Sequence, residues 1–259
     1  MIFFNLKIRR KFKYFTFSLI FECQFHFPIF HFYLDPIDVL IRSHIPKFFG
    51  IEQVGFTNGI TVTEDFLVLE DITEGLELPC IMDVKIGAKT WGPDASEKKI
   101  AQESAKYTGT KSPFGFSILG MIVHTLDGQG QNKVQKFDKS FGKSLRTEDV
   151  DQVPKLFFNQ EQNPPRELIR IFVDKISQIV QVFEMQRRYK IYASSLLLAY
   201  DAMAVRKFKN QEISEAELKK SVNMRLIDFA HVFPADGQQD ENFLFGIKNL
   251  LDLFLRYLN

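Results

Sequence analysis

The amino-acid sequence predicts a protein of the α+β class. Residues 79–87 are an apolar run that carries one carboxylate and one ammonium group two residues apart, as on one face of a strand whose other face is buried. Two stretches, one after Asn163 and one at the carboxyl end, repeat apolar residues every three or four positions, as helices packed on a core do. At 259 residues the chain is long enough for one large domain or two small lobes.

Composition narrows the kinds of partner that we expect. The chain has 33 Lys and Arg against 32 Asp and Glu, so its charge gives no general affinity for nucleic acid. An anionic ligand would therefore have to meet a local cluster of cations. The 2 cysteines and 5 histidines show no zinc-ligand spacing and no disulfide framework, which favours a reduced intracellular protein.

The first 31 residues are rich in phenylalanine and are the least ordinary part of the sequence. A basic segment precedes an apolar run at residues 14–21, but that run is shorter than the roughly 20 residues of a membrane helix. It also lacks a signal-peptide cleavage site, so no transmembrane segment is expected. Alternation from Phe15 to Phe27 predicts one or two strands. A non-native start of the chain is the alternative interpretation.

The next segment begins as a short helix at Pro36, with an apolar face formed by Ile37, Leu40 and Ile41. Strands are expected at residues 54–62 and 66–72, with a turn at Asn58-Gly59. An acidic pair then closes the second strand, Glu70 and Asp71. This pair is either a solvated strand end or part of a site at a lobe boundary.

The strand at residues 79–87 carries a carboxylate and an ammonium group on one face. Asp83 and Lys85 are two residues apart and point the same way, while their neighbours point into the core. Opposite charges on a buried strand are costly unless they meet each other or a ligand. A structural ion pair is one interpretation. Asp228, in a strand predicted over residues 224–230, is a second acidic strand end and favours a site.

A helix is expected to begin at Asp94 or Ser96 and to run to about Tyr107. Polar side chains three or four residues apart share one of its faces: Lys99, Gln102, Glu103 and Lys106. Such a face is often only solvated. Because the helix directly follows the charged strand, ligand binding is the alternative interpretation.

The later segments complete the predicted order. Residues 109–115 are expected as a flexible loop, 133–146 as a basic loop and 206–220 as a charged connector. Strands are expected at residues 116–124 and 194–200. Two helices have apolar stripes, formed in one by Leu168, Phe172, Ile176, Ile179 and Phe183 and in the other by Ile247, Leu250, Leu251, Phe254 and Leu258.

Several catalytic motifs are absent from the sequence. It contains no G-x-S-x-G elbow, no P-loop and no G-x-G-x-x-G fingerprint. Two carboxylates could serve a glycosidase, but the sequence does not set their separation. Phosphoryl transfer needs a carboxylate for Mg²⁺ and a cation near the transferred group, which Asp83, Lys85 and Asp228 can supply.

Residues 79–87 match the P-x-x-x-D-x-K-x-G signature of the inositol polyphosphate kinase family. Four further blocks resemble the family in family order, at residues 45–50, 69–72, 194–200 and 227–233. The resemblance covers roughly residues 35–259. It implies a two-lobed, protein-kinase-like fold, with a small antiparallel-sheet lobe over residues 1–72 and a larger α+β lobe over residues 73–259.

The resemblance also implies an activity. The expected enzyme uses ATP and Mg²⁺ to phosphorylate hydroxyl groups of inositol trisphosphates and tetrakisphosphates, with phosphoinositide headgroups as a further acceptor. A monomer in the nucleus or cytoplasm is expected. Glu70, Asp71 and Ile72 would form the hinge that reads adenine, and Asp83 would contact the nucleotide.

The remaining implied roles concern the metal and the acceptor. Asp228 would hold Mg²⁺, and Lys85 would lie between the transferred phosphate and the inositol hydroxyl. The substrate would be bound by Lys85, Lys99, Gln102, Lys106, Lys139 and His231. Family members also carry a lysine on an early strand that contacts ATP. Residues 1–31 match no such block and leave Lys7, Lys11 and Lys13 open, so a kinase-like scaffold without catalysis is the second hypothesis.

Overall fold

The computed structural model describes residues 8–9, 12–13, 36–57, 61–127 and 129–258. The strands predicted between Phe15 and Phe27 and the turn at Asn58-Gly59 lie outside the described residues. Of the three candidate lysines, Lys13 falls in a described segment, and Lys7 and Lys11 do not. Helices and antiparallel strands are mixed along the chain, which confirms the α+β class. The lobe boundary at residue 72 stays a prediction.

The strands, in chain order, are β1 (Ile8–Arg9), β2 (Phe12–Lys13), β3 (Phe48–Thr57), β4 (Thr61–Leu69), β5 (Pro79–Ile86), β6 (Phe116–Leu126), β7 (Asn132–Phe137), β8 (Tyr189–Tyr192), β9 (Ser195–Asp201), β10 (Val222–Ile227) and β11 (His231–Pro234). The α-helices are α1 (Pro36–Arg42), α2 (Glu97–Ser104), α3 (Lys111–Phe114), α4 (Lys139–Ser144), α5 (Gln152–Phe157), α6 (Arg166–Met185), α7 (Ala202–Lys209), α8 (Glu215–Lys220) and α9 (Glu241–Leu258). Short 3₁₀ turns span Thr147–Asp149 and Gln160–Gln162.

A five-stranded antiparallel sheet forms the centre, in the order β10-β9-β5-β6-β7. The predicted strand β5 is confirmed and is paired on both sides. Its alternate residues Cys80, Met82, Val84 and Ile86 are fully buried. Asp83 and Lys85 are therefore on the other face, because successive side chains of a strand point to opposite faces.

Among the described residues, three two-stranded antiparallel pairs accompany this sheet, β1-β2, β3-β4 and β8-β11. Strands β3 and β4 pair antiparallel, with Phe48 opposite Leu69, and β8 pairs with β11. The prediction of strands at residues 54–62 and 66–72 placed these bounds wrongly. Strand β3 ends at Thr57 and β4 begins at Thr61, so the first predicted strand takes in residues of both arms, because apolar alternation continues from one arm into the other.

The core lies between the sheet and the long helices. The whole predicted stripe of α6, from Leu168 to Phe183, is buried. Phe183 stacks on Phe243 of α9, with ring centroids 3.9 Å apart. In α9, Ile247, Leu250 and Phe254 are buried, whereas Leu251 and Leu258 are only half-buried. None of the described helices combines the length and hydropathy needed to cross a membrane.

Three segments predicted as irregular are ordered. Residues 109–115 contain α3, residues 133–146 contain β7 and α4, and residues 206–220 contain α8. Strand β7 is a sheet edge with mostly exposed side chains, so it lacks the alternation that marks a half-buried strand. Helix α8 is only six residues long and buries a single apolar residue, Leu218, too little for a periodic pattern.

Two smaller expectations were also wrong. The α1 residue Leu40 is exposed, and the side of the helix that packs inwards instead includes the buried Asp38. The Asp38 carboxylate accepts a hydrogen bond from the Tyr189 hydroxyl at 3.1 Å and pairs with Arg188 at 3.2 Å, which compensates its burial. Strand β10 ends at Ile227, so Asp228 lies just beyond the strand.

Candidate active site

The site is built on the half-buried face of β5, opposite the face that packs into the core. Lys85 lies opposite Ser117 of β6 and Ser195 of β9, and Asp83 lies opposite Gly120 and Leu197. Directly paired residues of an antiparallel sheet present their side chains to the same face. The sheet therefore places two serines beside the Lys85 side chain.

Asp228 joins this face from the end of β10. Its backbone φ is +65°, in the left-handed region that few residues other than glycine occupy. Such strain is found where surrounding structure fixes a functional side chain. Burial raises the pKa of Asp228, and Lys85 and Lys139 oppose that rise. These three side chains, from three separate segments, thus share one electrostatic environment.

Asp83 belongs to the same cluster. Burial raises the pKa of its carboxyl to about 6, with the Asp228 charge adding to the rise. The neighbouring Ser195 hydroxyl, Lys85 and Lys139 act in the opposite direction. In the described part of the chain, Asp83 Oδ1 is buried without a well-formed hydrogen bond, and so is the Ser195 hydroxyl. A buried acceptor of this kind can receive a ligand.

Lys139 reaches the cluster because α4 packs closely on β6. Asp138 caps this helix by accepting hydrogen bonds from the N–H groups of Ser140 at 2.8 Å and Phe141 at 3.3 Å. Gly142 permits the close approach, since a Cβ there would lie 1.8 Å from the carbonyl oxygen of Ile118. Lys139 and Lys143, predicted in a loop, are therefore held on a short, capped helix.

The acceptor end of the site joins α2 to β11. His231, half-buried at the start of β11, has its pKa lowered by burial and by the charges of Lys99 and Lys85, while Asp94 opposes them. Lys99 lies on α2, whose predicted cap is confirmed: Ser96 Oγ accepts from the Lys99 N–H at 3.3 Å. The structure thus brings His231, Lys99 and Lys85 together.

The other residues predicted on the α2 face are placed differently. Gln102 is exposed. Lys106 lies beyond the end of α2, and its ammonium is paired with Glu103 Oε1 at 2.6 Å. Glu103 also accepts a hydrogen bond from Thr90 Oγ1 at 3.3 Å and feels the charge of Lys85. Neither Gln102 nor Lys106 is joined to the Asp83 cluster by a described contact.

Two residues of the site were missed from the sequence. Tyr107 is half-buried at a φ of +55°, and its pKa is raised by burial and by Asp83 and Glu103. Lys111, predicted in a flexible loop, is buried, and its ammonium donates to the backbone carbonyl of Glu103. The available signal was their position directly after the polar face of α2.

The predicted hinge follows β4. Glu70 accepts two hydrogen bonds from Arg225, at 3.0 and 3.1 Å, and its N–H donates to the Lys47 carbonyl at 2.8 Å. The Ile72 carbonyl accepts from Asn223 Nδ2 at 2.7 Å. Asp71 Oδ1 accepts from the N–H and hydroxyl of Thr73. Within the described residues, no hydrogen bond is made by the Glu70 carbonyl or the Ile72 N–H.

Comparison with known proteins supplies the family. The family model described as inositol polyphosphate kinase matches residues 66–255. Inositol polyphosphate multikinase of Mus musculus is 30% identical over 214 residues, 82% of this chain and 50% of that protein. Its Homo sapiens counterpart is 31% identical over 189 residues, which are 72% of this chain and 44% of that protein. Inositol hexakisphosphate kinase 2 of Oryctolagus cuniculus is 29% identical over 217 residues, 73% and 50%.

Solved structures agree on the fold. The crystal structure of inositol phosphate multikinase Ipk2 from S. cerevisiae, in complex with ADP and Mn²⁺, has a TM-score of 0.66 at 23% identity, covering 85% of this chain and 91% of its own. A second inositol phosphate multikinase structure has a TM-score of 0.63 at 24% identity, covering 84% and 91%. The two-lobed kinase-like fold implied by residues 79–87 is thereby confirmed.

The curated relatives extend beyond the matched region, since the chain spans about half of their length. The family model nevertheless covers most of this chain, including β5 with its P-x-x-x-D-x-K-x-G signature and the strand end at Asp228. The chain belongs to the inositol polyphosphate kinase family.

Proposed function

We propose that this protein transfers the γ-phosphoryl group of ATP to hydroxyl groups of inositol trisphosphates and tetrakisphosphates. One observation carries the proposal: the charges of Lys85 and Lys139 act on both Asp83 and Asp228, so two cations and two carboxylates converge on one site. Phosphoryl transfer is largely a matter of positioning and of stabilising charge, and it needs this mixture of carboxylates and cations.

The hinge supports binding of the adenine. The exocyclic amine of adenine is a hydrogen-bond donor, and the ring nitrogen beside it is an acceptor. The Glu70 carbonyl and Ile72 N–H are the complementary pair, and neither is used by another described group. Arg225 holds the Glu70 side chain, and Asn223 holds the Ile72 carbonyl. In this proposal Asp71, held by Thr73, completes the hinge.

The carboxylates fit a divalent cation. Mg²⁺ is commonly held by one or two carboxylates together with substrate phosphates and water. In the described chain no group of three or more His, Cys, Asp and Glu could hold a metal alone. Asp228 would hold Mg²⁺ and Asp83 would contact the nucleotide, and the bound ion would neutralise charge on the transferred group. The S. cerevisiae structural neighbour was crystallised with ADP and Mn²⁺.

The acceptor would lie between β5, α2 and β11. In this proposal Lys85 lies between the nucleotide end and the acceptor end, which is supported by its effect on the pKa of both Asp228 and His231. Lys99 supplies a second cation, and His231, its pKa lowered, offers a neutral ring near neutral pH. Lys106 and Gln102 would extend this surface towards outer phosphates, with Lys106 released from Glu103 when substrate arrives.

Product analysis tests the proposal. The purified chain is incubated with ATP, Mg²⁺ and a panel of soluble inositol phosphates, with phosphoinositide vesicles as a separate acceptor. Lys85→Ala and Asp228→Asn should abolish transfer and leave the circular dichroism spectrum unchanged. Lys136 is an exposed residue on the sheet edge, so the control variant Lys136→Ala should retain phosphoryl transfer. Undiminished turnover in both site variants rejects the assignment.

The departure at residues 1–31 favours the second candidate, a kinase-like scaffold. A thermal shift separates the two, because ATP with Mg²⁺ stabilises a protein that binds them and leaves a scaffold unchanged.

Two finer parts of the proposal have their own tests. Analytical ultracentrifugation tests whether the protein is a monomer, and imaging of the full chain in cells tests the nuclear or cytoplasmic location.

A further inference from the structure

A cavity lies between α6 and α8, away from the cluster of Asp83, Lys85, Asp228 and Lys139. Its volume is about 440 Å³. Polar side chains line it: Lys175, Ser177, Gln178, Gln181 and Asp174 of α6, and Lys219 of α8. The apolar stripe of α6 is buried in the core, so these polar residues line the outer side of the helix.

Positive charges gather around this cavity. Lys175 is half-buried, and its pKa is lowered by burial and then by the charges of Arg225 and Lys219. The pKa of His44 is lowered by burial, by Arg225 and by Lys175. Arg225 is already paired with Glu70, whereas Lys175 and Lys219 have no ion pair in the described part of the chain.

Such an arrangement has a physical consequence. Lys175 is half-buried and has the exposed Lys219 beside it, and a partly desolvated cation next to a like charge would normally be balanced by an acid. Asp174, the one carboxylate in the cavity lining, is exposed and takes no part in an ion pair among the described residues. A bound anion would satisfy both lysines, and the amides of Gln178 and Gln181 and the Ser177 hydroxyl could donate further hydrogen bonds to it.

We propose that the cavity between α6 and α8 is a binding site for a small molecule carrying several phosphate groups, held by Lys175 and Lys219. The same phosphate chemistry is offered by a soluble inositol phosphate and by a phosphoinositide headgroup. The site is separate from the proposed acceptor site, since no residue that lines it affects Asp83, Asp228 or His231. It does not depend on the proposed catalysis.

The test is calorimetric titration of the full chain with an inositol tetrakisphosphate. The background variant Lys85→Ala/Lys99→Ala removes binding at the proposed acceptor site. In that background, binding should persist, weaken with rising salt and fall by at least about tenfold on adding Lys175→Gln and Lys219→Gln, because two charge-assisted hydrogen bonds are lost. Asp174→Asn should instead tighten binding, since it removes the carboxylate from the cavity.

Each result decides the proposal separately from the kinase assignment. Absent binding in the Lys85→Ala/Lys99→Ala background overturns it, and so does binding that is indifferent to the Lys175 and Lys219 changes. A circular dichroism spectrum and a cooperative thermal unfolding transition like those of the unaltered protein show that the Lys175→Gln/Lys219→Gln variant is folded. Vesicles with and without phosphatidylinositol bisphosphate identify the source: capture that depends on Lys175 and Lys219 supports a headgroup, and binding of the soluble ligand alone supports a free phosphate ester.

Discussion

The ion pair between Arg225 and Glu70 joins the edge of the central sheet to the proposed hinge, and Arg225→Gln tests its strength. Arg225 donates from Nη2 to Oε1 at 3.0 Å and from Nε to Oε2 at 3.1 Å. The two side chains are 21% and 24% exposed. The substitution leaves Glu70 partly buried without its cation, while Lys47 N–H still donates to it at 3.2 Å.

The expected cost follows from geometry and exposure. Hydrogen bonds to charged groups contribute roughly 1.5–3 kcal/mol when buried, and exposed ion pairs about 0–1 kcal/mol. A bidentate pair that is about a quarter exposed lies between these limits, so we expect a loss of about 1–2 kcal/mol. For a chain of this size each kcal/mol lowers the thermal midpoint by about 2–4 °C, which gives about 2–8 °C.

The loss should depend on pH. Burial opposes ionisation of Glu70, but the hydrogen bonds from Arg225 and Lys47 hold its pKa below the ordinary value of 4.5. A carboxyl with a depressed folded-state pKa adds stability above its unfolded pKa, and this stability is lost as the pH falls through the folded pKa. The loss in the free energy of unfolding caused by Arg225→Gln should therefore be largest near neutral pH and should shrink in acid.

Thermal unfolding followed by circular dichroism measures both effects. The matched control is Lys207→Gln, which removes a more exposed pair: Lys207 and Glu77 lie 3.3 Å apart and are 44% and 56% exposed. Lys207→Gln should change the free energy of unfolding by less than about 0.5 kcal/mol. Equal midpoints for the two variants, or an Arg225→Gln deficit that stays constant into acid, would refute the reasoning.

Three other substitutions have distinct signatures. In metal-free protein, Asp83→Asn should raise the thermal midpoint near neutral pH, because burial raises the pKa of this carboxyl to about 6 and makes its ionised form costly. The gain should vanish below about pH 4, where the carboxyl is protonated in both folded and unfolded states. A lower midpoint for Asp83→Asn near neutral pH would contradict the prediction. Gly142→Ala should lower the free energy of unfolding by about 1–3 kcal/mol and reduce phosphoryl transfer, since its Cβ would strike the Ile118 carbonyl and displace Lys139. The control Lys143→Ala, on the same helix, should change the free energy of unfolding little. Phe158→Ala should lower the free energy of unfolding by about 3–5 kcal/mol in a denaturant titration, because this ring packs on Phe172, Phe254 and Tyr257.

The parts of the fold that could be predicted have strong local periodicity. Strand β5 buries every second side chain, and α6 keeps its apolar stripe from Leu168 to Phe183, so the buried faces of both agree with prediction. Asp83 and Lys85 were assigned to one face for the same reason. The segments that escaped prediction are an edge strand and helices too short to show a period, such as β7 and α4.

The parts of the site that could not be predicted depend on contacts distant in sequence. Arg225 and Glu70 are 155 residues apart, and no local pattern links them. The pairing of Lys106 with Glu103 competes with a ligand-facing role, and helical spacing alone cannot decide between the two. The Asp83 charge raises the pKa of Tyr107, whose backbone lies outside the helical region at a φ of +55°, and no local sequence pattern indicates that the two groups are close.

Burial shifts the pKa values of the site residues, and burial of the opposite face of β5 keeps those residues in place. Asp83 and Asp228 are disfavoured as anions in the folded state, and His231 is disfavoured as a cation. These costs remain in place because the opposite face of β5 is fully buried, so the strand cannot turn its charges towards solvent without exposing Met82, Val84 and Ile86. A cation bound at the two carboxylates, or an anion bound at Lys85 and Lys99, would remove part of that cost. Ligand binding should therefore stabilise this chain through the groups that destabilise it when no ligand is bound.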